Sequence, residues 1–359
     1  MKVISLARYA AGIALGVALL AGCSANGTTP SVGGQSVAPM GAHGGHSIQD
    51  LNKMFAMTNA KHMAPGVQHP LAKSWHIKPP PGTSGTIWSS DIDYASVDEI
   101  AYPSGTLVGQ VAGFSYPYGL CTDTSGNVYV ADFSFEELFE ISGGSVVNSW
   151  STGGESIGCS VANNGDVSVS NFYPGGVKVV AGPDAGASYP GPGYDWPAGY
   201  DKSGNLYVEC NYASPCSSPG LYKLSGGSWQ HLNFNQAINF PAAVQQYGKK
   251  YMGVADQSYP VDLTGIWLTT FSGSSATANK AVVMGSSGCS TYMDDSASWA
   301  EIGKKPNGLG PKKVKGLAAP NLWCFPSPVN TYGKHGGTPT NQWVVLSSQY
   351  DYGSTFTSP

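Results

Sequence analysis

Asp91, Asp132 and Asn171 occupy one equivalent place in three short phrases, and Asn211 and Asp256 stand close to it in two more. The phrases are Gly85-Thr-Ile-Trp-Ser-Ser-Asp91, Gly126-Asn-Val-Tyr-Val-Ala-Asp132, Gly165-Asp-Val-Ser-Val-Ser-Asn171, Gly204-Asn-Leu-Tyr-Val-Glu-Cys210 and Gly248-Lys-Lys-Tyr-Met-Gly-Val-Ala-Asp256. Carboxylate and amide oxygens offered by several loops at one rim are the donor set that Ca²⁺ takes. Against metal binding stands a role inside the repeat, in which each Asp or Asn accepts backbone N–H groups of its own loop. A side chain that recurs with every repeat serves the repeat first. Glu209 and Asp195 are the further carboxylates that a hydrolytic reading needs.

A second set is aromatic. Tyr102-Pro103, Tyr116-Pro117, Tyr189-Pro190, Trp196-Pro197, Phe240-Pro241 and Tyr259-Pro260 place a ring before a proline. Proline opens a strand without wasting a donor, which explains part of the pattern structurally. Tyr116, Tyr118, Trp196, Tyr200 and Phe240 are the candidates for stacking on a sugar or a peptide. Nucleophilic catalysis has little to stand on. There is no Gly-x-Ser-x-Gly elbow, and His231 and His335 have no recognisable Ser or Cys partner. The other histidines, His43, His46, His62, His69 and His76, are irregularly spaced without acidic or Cys neighbours. That spacing suits a solvated linker better than a metal-scavenging segment.

The elements that would position these residues follow from the period. The glycines that open the five phrases step by 41, 39, 39 and 44 residues. A period of that size, built from short alternating strands, marks the blades of a β-propeller. Residues 116–123 read as an inner strand, Val128–Ala131 as the second, Glu137–Ser142 as the third and Ser145–Trp150 as the outer one. After Met284 the pattern fades. Thr291–Trp299, Val314–Leu317 and Asn321–Phe325 supply a sixth blade, with a long loop at Gly303–Lys313. Trp343-Val-Val-Leu346 is then a closing strand or the start of a seventh blade. The expectation is an all-β, six-bladed propeller over 85–359, with seven blades the alternative. Only 11% of the 359 residues are charged while Gly (48) and Pro (25) abound, as a turn-rich β protein requires. With net charge −4 and one short lysine cluster at Lys304–Lys315, nucleic acid is excluded as a partner.

The beginning of the chain reads differently. Lys2 and Arg8 precede the apolar stretch Tyr9–Leu20, which is too short to span a bilayer as a helix. Leu20-Ala21-Gly22-Cys23-Ser24 resembles the bacterial lipoprotein cleavage box. That resemblance implies a signal peptide over 1–22 and a lipid on Cys23, holding the chain at the cell envelope, facing periplasm or exterior. Residues 23–84 read as a flexible Gly/Ser/Pro-rich linker with a short helix over 48–63. Six further cysteines in an exported chain point to disulfides. Six allow fifteen pairings; Cys121–Cys159, Cys210–Cys216 and Cys289–Cys324 form the expected set.

The run Gly119-Leu-Cys-Thr-Asp-Thr-Ser-Gly-Asn-Val-Tyr-Val-Ala-Asp132 resembles an NHL-type repeat, and Asp201-Lys-Ser-Gly-Asn-Leu-Tyr-Val208 strengthens the likeness. It covers residues 85–256 and departs at Glu209-Cys210-Asn211. The rim set is similar to the metal site of gluconolactonase-like propellers, whose bound ion polarises a lactone carbonyl. The leading expectation is a monomeric binding module for a protein, peptide or carbohydrate. A Ca²⁺-dependent lactonase or esterase-like hydrolase is the alternative, and a structural envelope protein the third option. Function is expected where the repeat fails, at Glu209–Cys216 and after Met284.

Overall fold

A strand covered on both faces buries every residue, and that is what Val128–Asp132, Val167–Asn171 and Leu206–Cys210 do. Each follows a tight hairpin in which Gly126, Gly165 or Gly204 takes φ of +86°, +94° or +81°, a region that residues with a Cβ avoid. The computed structural model describes residues 74–193, 195–210, 218–238, 241–256, 264–284, 299–303, 313–320, 328–344 and 351–358, all within one compact unit. Among these residues every helix or strand assigned is a strand.

Among the described residues the strands group into six four-stranded antiparallel units, the first extended by a fifth strand and the fifth and sixth merged into one nine-stranded sheet by a parallel contact between Ser275–Met284 and Gly336–Val344. The second is Pro117–Thr122, Val128–Asp132, Glu137–Ser142 and Ser145–Ser151; the third is Ser156–Val161, Val167–Asn171, Gly176–Ala181 and Ser188–Pro190. The fourth is Gly199–Tyr200, Leu206–Cys210, Gly220–Ser225 and Ser228–His231. The fifth is Pro241–Tyr247, Tyr251–Asp256, Thr264–Ser272 and Ser275–Met284; the sixth is Ala300–Gly303, Val314–Pro320, Pro328–Gly333 and Gly336–Val344. In the first unit Gly85–Asp91, Ser96–Tyr102 and Thr106–Ala112 receive their inner strand from the far end of the chain, Asp351–Thr357. Ile87 there pairs with Phe356. The fold is an all-β propeller.

Apolar clusters fill the seams between successive units. Trp88, Val111, Leu120 and Phe139 join the first to the second, and Tyr129, Leu138, Val169 and Val180 the second to the third. Val177, Tyr200, Val208 and Tyr222 lie in the third seam, and Tyr207, Val244, Met252 and Trp267 in the fourth. Tyr247, Ile266, Trp299 and Leu317 bind the fifth unit to the sixth; Ile302 and Val329 pack with Ile87, Ile100 and Phe356 to return to the first. No unit could bury both of its faces alone, so the seams supply the apolar burial that drives folding.

Three expectations change. The sheet begins before Gly85, because Trp75–His76 pairs with Thr106–Ala112 as a fifth strand of the first unit. His76 is not idle linker: its Nδ1 lies 2.7 Å from Glu99 Oε2. The closing strand is Asp351–Thr357, whereas Trp343 belongs to the outer strand of the sixth unit. The apolar run around Trp343 concealed this, since Asp351–Thr357 carries a single large apolar side chain, Phe356, at a buried seam. The Cys121–Cys159 disulfide is present, linking the inner strands of the second and third units. Cys210 is also disulfide-bonded, while Cys216, Cys289 and Cys324 lie outside the described residues. So do residues 1–73, with Cys23 and the expected helix.

Candidate functional site

The repeated Asp and Asn each end the second strand of a unit, at the end opposite the hairpin glycine. A chain that leaves a strand there exposes backbone N–H groups that need acceptors. Asp132 supplies them. Its Oδ2 accepts the N–H of Ser115 (2.7 Å) and of Tyr116 (3.1 Å) from the segment entering the unit. Its Oδ1 accepts those of Ser134 (3.1 Å) and Phe135 (2.9 Å) from the loop leaving the strand. Burial pushes the Asp132 carboxyl up, and these backbone N–H groups pull it back. Asp91 Oδ1 accepts the Tyr94 N–H at 3.1 Å. Asn171 donates from Nδ2 to the Thr152 carbonyl and accepts from Ser156 Oγ, so it holds the segment that enters its unit. The next residue in each case, Ile92, Phe133 or Phe172, turns into one apolar cluster with Tyr116, Tyr118 and Ile157.

The fourth unit breaks this pattern. Cys210 stands where Asp132 stands, and Glu209 precedes it, with no solvent exposure and no hydrogen bond to either carboxylate oxygen. Val208 and Cys210 face the third unit, so alternation along the strand turns Glu209 toward the fifth. Asp256 raises the Glu209 proton affinity from there, adding to the larger effect of burial. Asp195 bridges to Cys210 and lies on the other face, its Oδ2 in the space that a side chain on Gly191 would need. Burial pushes its carboxyl up to about 8, with the N–H groups of Gly176 and Gly193 partly offsetting that. Glu209 and Asp195 are therefore on opposite sides of one strand and do not form a catalytic pair.

Among the described residues no three His, Cys, Asp or Glu side chains converge as a metal cluster. Asn211 and Phe240 lie outside those residues. Of the aromatic candidates, Tyr116 and Tyr118 stack on each other with centroids 6.1 Å apart, and Trp196 packs against Phe172. These three and Tyr200 are buried, so the rings fill the propeller and are not laid open as a platform. The exposed rings are ones that residue type alone did not single out. Phe135 and Tyr173 sit in the equivalent loops of the second and third units, each about half exposed (50% and 54%). A Phe-x-Phe or Phe-Tyr pair following the capping residue, with its first ring turned inward and a later one exposed, was the available signal.

At the axis lies a small cavity of about 60 Å³, lined by residues of all six units. Thr122, Ser160, Tyr200, Gln246, Glu301 and Thr355 give it a polar wall, beside the Cys121–Cys159 disulfide. Glu301 Oε2 accepts the Gly248 N–H at 3.0 Å, and its Oε1 meets the Trp299 indole without the alignment of a full hydrogen bond. Burial pushes this carboxyl up to about 8.

No family model and no curated protein matches the chain. Solved structures do match. A protein of unknown function from Bacteroides caccae is 10% identical with a TM-score of 0.54, over 76% of this chain and 99% of that one. A functionally unknown protein from Desulfotomaculum acetoxidans is 11% identical with a TM-score of 0.51, over 77% and 100%. Virginiamycin B lyase from Staphylococcus aureus is 8% identical over 76% and 88%, with a TM-score of 0.47. Likeness at such identities speaks for the fold alone.

Asp195 and Glu301 keep their protons in the folded chain up to about pH 8. Once unfolded they release them near pH 4, so the folded state holds more protons across that interval. Stability is therefore expected to fall as pH rises from about 4 to about 8. In urea titrations at pH 5 and pH 8, Asp195→Asn should remove on the order of 1–2 kcal/mol of that loss. A wild-type stability that is flat or rises over the interval would contradict the assignment.

Proposed function

We propose that this chain is a lipid-anchored propeller that binds a ligand or protein partner at the bacterial cell envelope. The binding reading rests on one observation, the use of Asp132. Both of its oxygens are engaged by backbone N–H groups. A carboxylate so engaged has little left to offer a cation, but it rigidifies a loop that holds Phe135 out to solvent. Tyr173 stands at the equivalent place in the next unit. Two exposed aromatic side chains on braced neighbouring loops are suited to anchoring a partner. The NHL-type repeat supports the same class, since the fold itself prescribes no chemistry. Export and anchoring rest on the Lys2–Ser24 sequence.

A second reading, a Ca²⁺-assisted lactonase-like hydrolase, is favoured by Glu209. A fully buried carboxyl without a hydrogen bond, facing Asp256, has the donor chemistry that a hard cation takes. In that reading the ion would polarise an acyl carbonyl, and Glu209 and Asp256 would hold it.

Thermal unfolding in millimolar Ca²⁺ and in chelator separates the two. The binding reading predicts melting temperatures that agree within about 1 °C, because no ion is held by the folded state alone. A large calcium-dependent rise would replace it with the hydrolase. For the anchor, Cys23→Ser is expected to move the protein from the membrane fraction to the soluble fraction of the source cells. Unchanged fractionation would contradict a lipid on Cys23.

A further inference from the structure

The third unit lacks three side chains that close the hairpin in its neighbours. In the second unit Asp123 accepts the N–H groups of Ser125 and Asn127 on Oδ1, and its Oδ2 accepts from Asn127 Nδ2 and the Tyr129 hydroxyl. In the fourth, Asp201, Ser203, Asn205 and Tyr207 repeat this network bond for bond. The corresponding residues of the third unit are Ala162, Asp166 and Ser168 in place of Asp, Asn and Tyr. Tyr129 and Tyr207 each fill the seam ahead of their unit, Tyr207 by stacking on Phe271 at 4.1 Å. Val167 and Val169 face the second unit, so Ser168 faces the fourth, where its hydroxyl meets the phenol of Tyr200.

Beside this hairpin lies a groove of about 360 Å³, between the hairpins of the third and fourth units. Its size falls in the range of about 300–1,000 Å³ typical of small-molecule sites. The groove is built by a second departure. Where the second and fourth units join their last two strands through Gly143-Gly144 and Gly226-Gly227, the third uses the longer segment Gly182–Ala187. Asp166 accepts from Asn164 Nδ2 within its own turn, and its Oδ1 also holds that segment by accepting the Asp184 N–H at 2.8 Å. Asn163 Nδ2 donates to the Lys202 carbonyl at 2.7 Å and ties the two hairpins together. Leu206 and Leu224 give an apolar floor, and the half-buried Tyr189 a ring at the side. Asp184, Lys202 and Asn205 bring an acceptor, a donor and an amide to the rim.

We propose that this groove binds a short neutral carbohydrate, one or two rings long. A sugar presents apolar C–H faces and a fringe of hydroxyls that both donate and accept. The groove answers with an aromatic ring, an aliphatic floor and polar side chains of both hydrogen-bonding senses. It lies at the hairpin end of the strands, away from the Phe135 and Tyr173 loops, and stands whether or not those loops bind a partner.

The test is calorimetric titration of the full chain with cellobiose, mannobiose and N,N′-diacetylchitobiose. At least one should bind saturably at one site, and Tyr189→Ala should weaken it about tenfold, the loss of a stacking contact. Lys202→Trp, introduced from the exposed rim, should abolish binding by filling the groove, with the melting temperature unchanged. Phe135→Ser with Tyr173→Ser should leave sugar affinity unaltered. Failure of all three disaccharides to bind at 20 mM (an upper limit on the order of the weakest useful affinities) would overturn the proposal. So would sugar binding that survives Lys202→Trp, or saturable binding of spermidine in place of any sugar, which would make the groove an amine site.

Discussion

A strand that ends inside a protein leaves backbone N–H groups that must find acceptors, and here a single buried side chain per unit supplies them. Asp132 gathers N–H groups from both the segment that enters its unit and the loop that leaves the strand. Asn171 holds the entering segment of its own unit with an amide. With these groups paired, the following residue can turn into the apolar cluster of Ile92, Phe133 and Phe172, and the loop beyond can present a ring to solvent. Removing the acceptor would strand several buried donors at once, each at a cost of about 1–3 kcal/mol before relaxation.

The other dependence is closure. The strand Asp351–Thr357 completes the first unit, and Phe356 fills the seam between the sixth unit and the first. Unpaired, Gly85–Asp91 would be a long edge strand open to association. The seams are alike in kind but not in detail. In the second and fourth the second strand of the earlier unit supplies a phenol; in the third that position is Ser168, and Tyr200 of the later unit brings the ring.

Much of the fold was legible in the sequence, for a physical reason. Hairpins need positive φ and period-two strands need alternation, so Gly-Asn-Val-Tyr-Val and its relatives repeat visibly. The pairing of Cys121 with Cys159 was legible because both precede hairpin glycines by similar intervals. The closing strand was not, because a Velcro-like inner strand needs few large apolar residues. Trp75–His76 escaped because two residues carry no period. Among site residues, spacing alone exposed the Asp and Asn positions, but it could not separate loop acceptors from metal ligands. That distinction depends on which N–H groups lie within 3 Å. Glu209 and Asp195 both drew notice as departures, yet alternation about one strand sets them apart. The aromatic–proline pairs misdirected attention, since a ring before a buried inner strand is carried inward with it.

The central claim is that the recurrent carboxylate is a loop acceptor first. Urea unfolding of Asp132→Ala measures it most directly. A loss on the order of 3 kcal/mol or more, equal with and without calcium, is the result expected of a buried group that holds several N–H donors. A loss below about 0.5 kcal/mol, or one that appears only when calcium is present, would contradict the account and return Asp132 to the metal ligands.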